Sequence, residues 1–208
     1  MRRSLSVATL TPIVVALTIG LSATASQAAA PLTWTVTPGG AITGSAGTTV
    51  LKDTTAGLTV TCTSSSATGT LKSGTGLKGA GIGTVTSLAF NSCTVDGISL
   101  SISTGTVAYP LNAKSFSAGV TGGTVTTIHF TVSSSVCGFT VDGTSATADN
   151  GSVRTRYTNS SHVLKIIPKH STLHVYNVSG CFGLVSNGDA ASVSTSYKVT
   201  PAQTITSP

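Results

Sequence analysis

Ile98-Ser99-Leu100-Ser101-Ile102-Ser103 alternates apolar and hydroxyl side chains without a break. In a strand, successive side chains point to opposite faces, so this pattern gives one buried wall and one wet wall. The same period recurs along the chain. Leu58, Val60 and Cys62 share a face; Ile128, Phe130 and Val132 oppose Thr127, His129 and Thr131. Val153, Thr155 and Tyr157 oppose Arg154 and Arg156, while Val193, Thr195, Tyr197 and Val199 oppose Ser192, Ser194, Ser196 and Lys198. No window of helical period reaches ten residues after the first thirty. Asp96-Gly97, Asp142-Gly143, Asn150-Gly151 and Asn187-Gly188 punctuate the runs and read as tight turns, because Asx-Gly pairs adopt positive φ at low cost.

Short strands at this spacing predict an all-β fold: a disulfide-stabilised antiparallel β-sandwich, jelly-roll-like or built of two related halves. Composition agrees. About a third of the 208 residues are Ser or Thr, and all five acids are Asp. Without Glu and with few Lys or Arg, the chain cannot support long ion-paired helices or a coiled coil. Outward faces made of Ser and Thr leave sheet edges with little charge to protect them.

The first residues read as an export signal. Arg2 and Arg3 precede an apolar run from Val7 to Leu21, and Ser26-Gln27-Ala28 offers small side chains where a signal peptidase cuts. The run is shorter than the ~20 residues that span a bilayer. The expected division is a signal peptide at 1–28 and one β-sandwich domain at 29–208, with intimately packed halves near 44–110 and 120–200. Cys93-Thr94-Val95-Asp96-Gly97 and Cys137-Gly138-Phe139-Thr140-Val141-Asp142-Gly143 echo one another and motivate those halves. No later stretch reads as a membrane-spanning helix, and losing Arg2 and Arg3 leaves a mature chain near +4.

Cys62, Cys93, Cys137 and Cys181 are an even set in an exported chain and read as two disulfides. Of the three pairings available, Cys62–Cys93 with Cys137–Cys181 keeps each bridge within its own half. No C-x-x-C spacing supports zinc, and His170 and His174 would lie ~13 Å apart along a strand. No metal or cofactor is expected from these residues.

The order Gly57-Leu58-Thr59-Val60-Thr61-Cys62, Gly69-Thr70-Leu71, Gly74-Thr75-Gly76-Leu77, Val178-Ser179-Gly180-Cys181 and Asn187-Gly188-Asp189 resembles secreted β-rich proteins of actinomycetes, a family with no established activity. The resemblance covers most of 57–208. It implies fold and export, and carries over no catalytic residue. Composition also resembles the small exported apoproteins that carry enediyne antibiotics.

Catalytic signals are sparse. There is no G-x-S-x-G, and the five aspartates are scattered, four beside Gly or Asn where turns account for them. The reading leans away from an enzyme. The informative feature is charge placement: between Asn150 and Gly188 there is no acid, but Arg154, Arg156, Lys165 and Lys169, with His162, His170 and His174. Runs at Ser152–Thr158, His162–Ile167 and Thr172–Val178 predict a three-strand meander with a basic outer face. Its charge would grow in mild acid as histidines protonate. Arg154, Arg156, Lys165, Lys169 and His162 are therefore the candidate anion-binding residues of a secreted or cell-envelope binding or structural module. Cell-wall anionic polymer or another extracellular macromolecule is the expected partner. Nucleic acid is disfavoured because few aromatic rings accompany the cations. The alternatives are a carrier with an apolar pocket and a hydrolase with an unfamiliar site.

Overall fold

The computed structural model describes residues 32–106 and 108–208; the expected signal peptide lies outside them. Sixteen strands account for nearly all regular structure: β1 (Thr33–Thr37), β2 (Gly40–Ala46), β3 (Thr49–Asp53), β4 (Thr59–Leu71), β5 (Gly74–Lys78), β6 (Gly83–Val95), β7 (Ile98–Ser103), β8 (Tyr109–Ser117), β9 (Val120–Ile128), β10 (Phe130–Ser133), β11 (Cys137–Asp142), β12 (Gly151–Thr158), β13 (Val163–Ile167), β14 (Leu173–Gly180), β15 (Ala190–Thr200) and β16 (Thr204–Thr206). Every pairing is antiparallel.

Three long strands organise the fold. β4 and β6 run 13 residues each and β15 runs 11, and each changes partner partway along. Thr59–Cys62 of β4 pairs with β3, whereas Ser65–Leu71 pairs with β2. Ala190–Ser194 of β15 lies between β14 and β3; Thr195–Thr200 lies between β13 and β2. β6 takes β8 near its start and β7 near its end.

Followed strand to strand, these pairings close on themselves twice. One circuit runs β2-β4-β6-β8-β9-β12-β13-β15, and the other β3-β4-β6-β7-β10-β11-β14-β15. The result is a sandwich in which β6, β4, β2 with β3, and β15 form one long sheet, faced by β8-β9-β12-β13 along one half and β7-β10-β11-β14 along the other. Closure explains how hydroxyl-rich outer faces suffice: the sheets join at their margins, and few unpaired edges need guarding. Each half draws strands from both the 44–110 and 120–200 stretches.

Burial follows the alternation. Val60, Cys62, Tyr109, Val125, Ile128, Phe130, Val132, Val141, Val153, Ile166, Leu173 and Tyr197 belong to one continuous core through both circuits. A separate three-stranded sheet, β16-β1-β5, covers a second cluster around Trp34, Val36, Tyr157, Val199 and Ile205. Where β2 gives way to β3, the core turns polar. The hydroxyls of Thr49, Ser65, Thr195 and Tyr197 form a buried chain with separations of 2.7, 2.8 and 3.0 Å.

Both disulfides pair as the sequence favours. Cys62–Cys93 joins directly opposed residues of β4 and β6. Cys137–Cys181 ties the start of β11 to the chain leaving β14.

Two expectations need correction. The third strand of the predicted meander does not join it: β12 and β13 form a hairpin, but β13 then pairs with β15, and β14 lies between β11 and β15. The Asx-Gly turns also divide. Asp96 and Gly97 take φ of 46° and 83° between β6 and β7, as expected for a tight hairpin. Gly143 and Gly151 are absent from the positive-φ residues, and close packing explains them instead. A Cβ on Gly151 would stand 2.4 Å from the Ile128 carbonyl oxygen, and one on Gly143 2.0 Å from Asn150 Oδ1.

Candidate binding surface and a histidine–aspartate cluster

Of the candidate cations, Arg154, Arg156 and Lys165 fall on one surface, the outer face of the β12–β13 hairpin. Arg154 and Arg156 are exposed, two apart on β12, with Val153, Thr155 and Tyr157 turned into the core. The pairing register sets Arg156 directly opposite Lys165 on β13. Side chains so opposed start from Cβ atoms about 5 Å apart, and like charges there repel. Lys169 lies exposed in the turn after β13, on the Arg154 side, because Arg154 pairs with Ile167. His162 sits at the opposite end, half-buried, its Nδ1 3.5 Å from the Tyr157 hydroxyl. The structure adds Lys198. β15 places Ser196 opposite Lys165, and Lys198, two residues on, is exposed and donates to the Ser161 carbonyl at 2.6 Å. Among the described residues, no carboxylate lies within 4.0 Å of any of these lysines and arginines.

The acids are elsewhere, and one of them organises a second site. β9 and β10 are one run of chain, interrupted at His129, where it passes from the first circuit to the second. Phe130 pairs with Val141, so His129 and Asp142 stand at the next step of the same ladder. Asp142 has no exposed surface. Its Oδ1 accepts from the amides of Gly143 and Asn150, and its Oδ2 from the amide of Asp149 at 2.9 Å. His129 Nδ1 lies 3.0 Å from the same Oδ2 and 3.2 Å from Asp149 Oδ1. Burial pushes the Asp142 carboxyl up, but His129 and the three amides outweigh it and hold it below the usual carboxylate range.

His129 and Asp149 line an open cleft of about 510 Å³ together with Thr104, Ala108, Tyr109 and Thr127, while Asp142 is buried behind them. The Tyr109 hydroxyl donates to the His129 carbonyl. Its phenol is pushed up to about 12, first by burial and then by the negative charges of Asp149 and Asp142. Sequence reading missed this site because Asp142-Gly143 reads as a turn and His129 as an outward strand residue. The signal that could have found it is hairpin symmetry: folding the chain about residues 135 and 136 sets 129 against 142.

The other two functional readings meet specific geometry. The apolar space inside the first circuit is about 100 Å³, lined by Leu88, Phe90, Tyr109, Ile128, Ile166 and Tyr197. Ordinary small-molecule pockets measure roughly 300–1,000 Å³. For hydrolysis, His129 and Asp142 supply the pair that orients a general base. Among the described residues, however, no hydroxyl or thiol is hydrogen-bonded to the free Nε2 of His129. No helix among the described residues is long and apolar enough to cross a membrane.

No protein-family model, curated protein or solved structure matches the chain.

Proposed function

We propose that this protein is a secreted or cell-envelope-associated, non-catalytic binding module that holds an anionic polymer against the outer face of β12 and β13. The observation that carries this reading is the directly opposed pair Arg156 and Lys165, flanked by Arg154 and without an acidic partner. A cross-strand pair of like charges costs stability on its own, and a polyanion laid along the hairpin turns that cost into attraction. The closed, doubly bridged scaffold supports the reading, because it presents the cations from rigid strands rather than loops. The signal-like residues 1–28, the disulfides and the resemblance to secreted actinomycete proteins support export. Cell-wall anionic polymer fits better than nucleic acid, since Tyr157, the aromatic residue of this hairpin, is buried.

Retention on purified cell wall and on an anionic resin tests the proposal. Binding is expected at low salt and lost by ~0.5 M salt, where screening shortens the reach of surface charge to a few ångströms. Arg154→Ala with Arg156→Ala should abolish retention while leaving the melting temperature within a degree or two. Undiminished retention of that double variant would overturn the assignment.

A further inference from the structure

We infer that His129, Asp142 and Asp149 form a binding site for a divalent transition-metal ion of the zinc or manganese kind, opening onto the cleft beside Tyr109. Three observations converge on it. The first is donor geometry. Ligand atoms about 2.0–2.2 Å from one ion, at tetrahedral or octahedral angles, stand roughly 3.0–3.5 Å apart. His129 Nδ1 lies 3.0 Å from Asp142 Oδ2 and 3.2 Å from Asp149 Oδ1, and the three donor atoms all fall within 4.8 Å of one another.

The second is charge. One imidazole nitrogen, with at most one proton, faces two carboxylates. Even with the ring fully protonated, the cluster retains a net negative charge. No lysine or arginine lies within 4.0 Å of either acid among the described residues. A dication at Nδ1 supplies the positive charge the two carboxylates lack, and a neutral imidazole bound there carries its proton on Nε2.

The third is preorganisation. Asp142 is locked by three backbone amides, and His129 is fixed at the junction of β9 and β10. Asp149, with a largely exposed side chain, is the ligand able to swing inward. Its φ of 47° belongs to the loop whose amides grip Asp142, so loop and ligand set are built together. Imidazole with two carboxylates suits zinc or manganese, whereas calcium prefers six to eight oxygens. Three protein ligands leave at least one position for water or a ligand on the side facing the cleft.

Chelator-treated secreted protein titrated with zinc, manganese and calcium chlorides by calorimetry tests the inference, with cobalt absorption as a spectroscopic reporter. One ion per chain is expected for zinc or manganese. The melting temperature should rise with metal. Asp149→Ala, which leaves the buried carboxylate in place, and His129→Ala should each weaken binding at least tenfold, while His170→Ala should not. Absence of saturable binding, or binding that survives both ligand substitutions, would overturn the site. Calcium bound as tightly as zinc would overturn the metal class.

Discussion

Asp53 stands opposite Ala191 in the β3–β15 ladder, which brings it near enough to Asp189 for the two negative charges to repel. Asp53 Oδ1 accepts from the amides of Thr55 and Ala56 at 2.9 and 2.8 Å, while its Oδ2 is buried with no hydrogen-bonded partner. Asp189 Oδ2 accepts from Ser186. Burial raises the Asp53 carboxyl; the two amides oppose this, and the Asp189 charge adds to it.

A carboxyl raised in the folded state is most favourable to folding when protonated, and its contribution is lost as pH rises through the folded value. Asp53→Asn keeps the acceptor for Thr55 and Ala56 and removes the repulsion. The variant is expected to melt a few degrees above the parent at pH 7, with the advantage fading toward pH 4. Paired melting curves across that range check it, and a variant less stable at pH 7 would refute it.

Asp142 behaves in the opposite sense. Its carboxyl is depressed on folding, so its stabilisation is fully present above the ordinary carboxylate value and is lost as pH falls through the folded value. Asp142→Ala removes the acceptor for three amides in a fully buried place and should cost about 3 kcal/mol at neutral pH. The difference from the parent should shrink in strong acid. Denaturant titrations at pH 7 and pH 3 would show both.

The buried hydroxyl chain predicts coupling. Thr49→Val strands the hydroxyl of Thr195, leaves Ser65 with Tyr197 alone, and should cost about 1–2 kcal/mol. Combining it with Thr195→Val should cost less than the two single losses together, because the second change removes a group already orphaned. Additive losses would mean the hydroxyls are not energetically linked.

Removing Cys62–Cys93 as a pair of alanines should lower stability by about 3–4 kcal/mol, from the chain entropy a 31-residue loop regains on unfolding. Chemical denaturation of the double variant measures it; a loss under 1 kcal/mol would locate the bridge's effect in the native state instead.

How much of this was legible follows from how local each feature is. Alternation at Ile98–Ser103 or Val193–Val199 needs only neighbouring residues, so strands and faces could be read directly. Ring closure could not: β13 meets β15 through Lys165 and Ser196, thirty-one positions apart, and nothing near either announces the other. Arg154, Arg156 and Lys165 were legible as a group because one hairpin carries them all. Lys198 reaches that surface only through the closure. His129 and Asp142 were hidden for a different reason. Asp142-Gly143 has the letters of a turn, yet Gly143 is needed for its close approach to Asn150.

The strands common to both circuits bear on how the molecule fails. β4, β6 and β15 cross the boundary between the halves, so neither half owns a complete wall. Disorder that starts in one has no joint at which to stop, and a pulled or heated chain should come apart in a single event. Such a protein would have no halfway form to offer a protease.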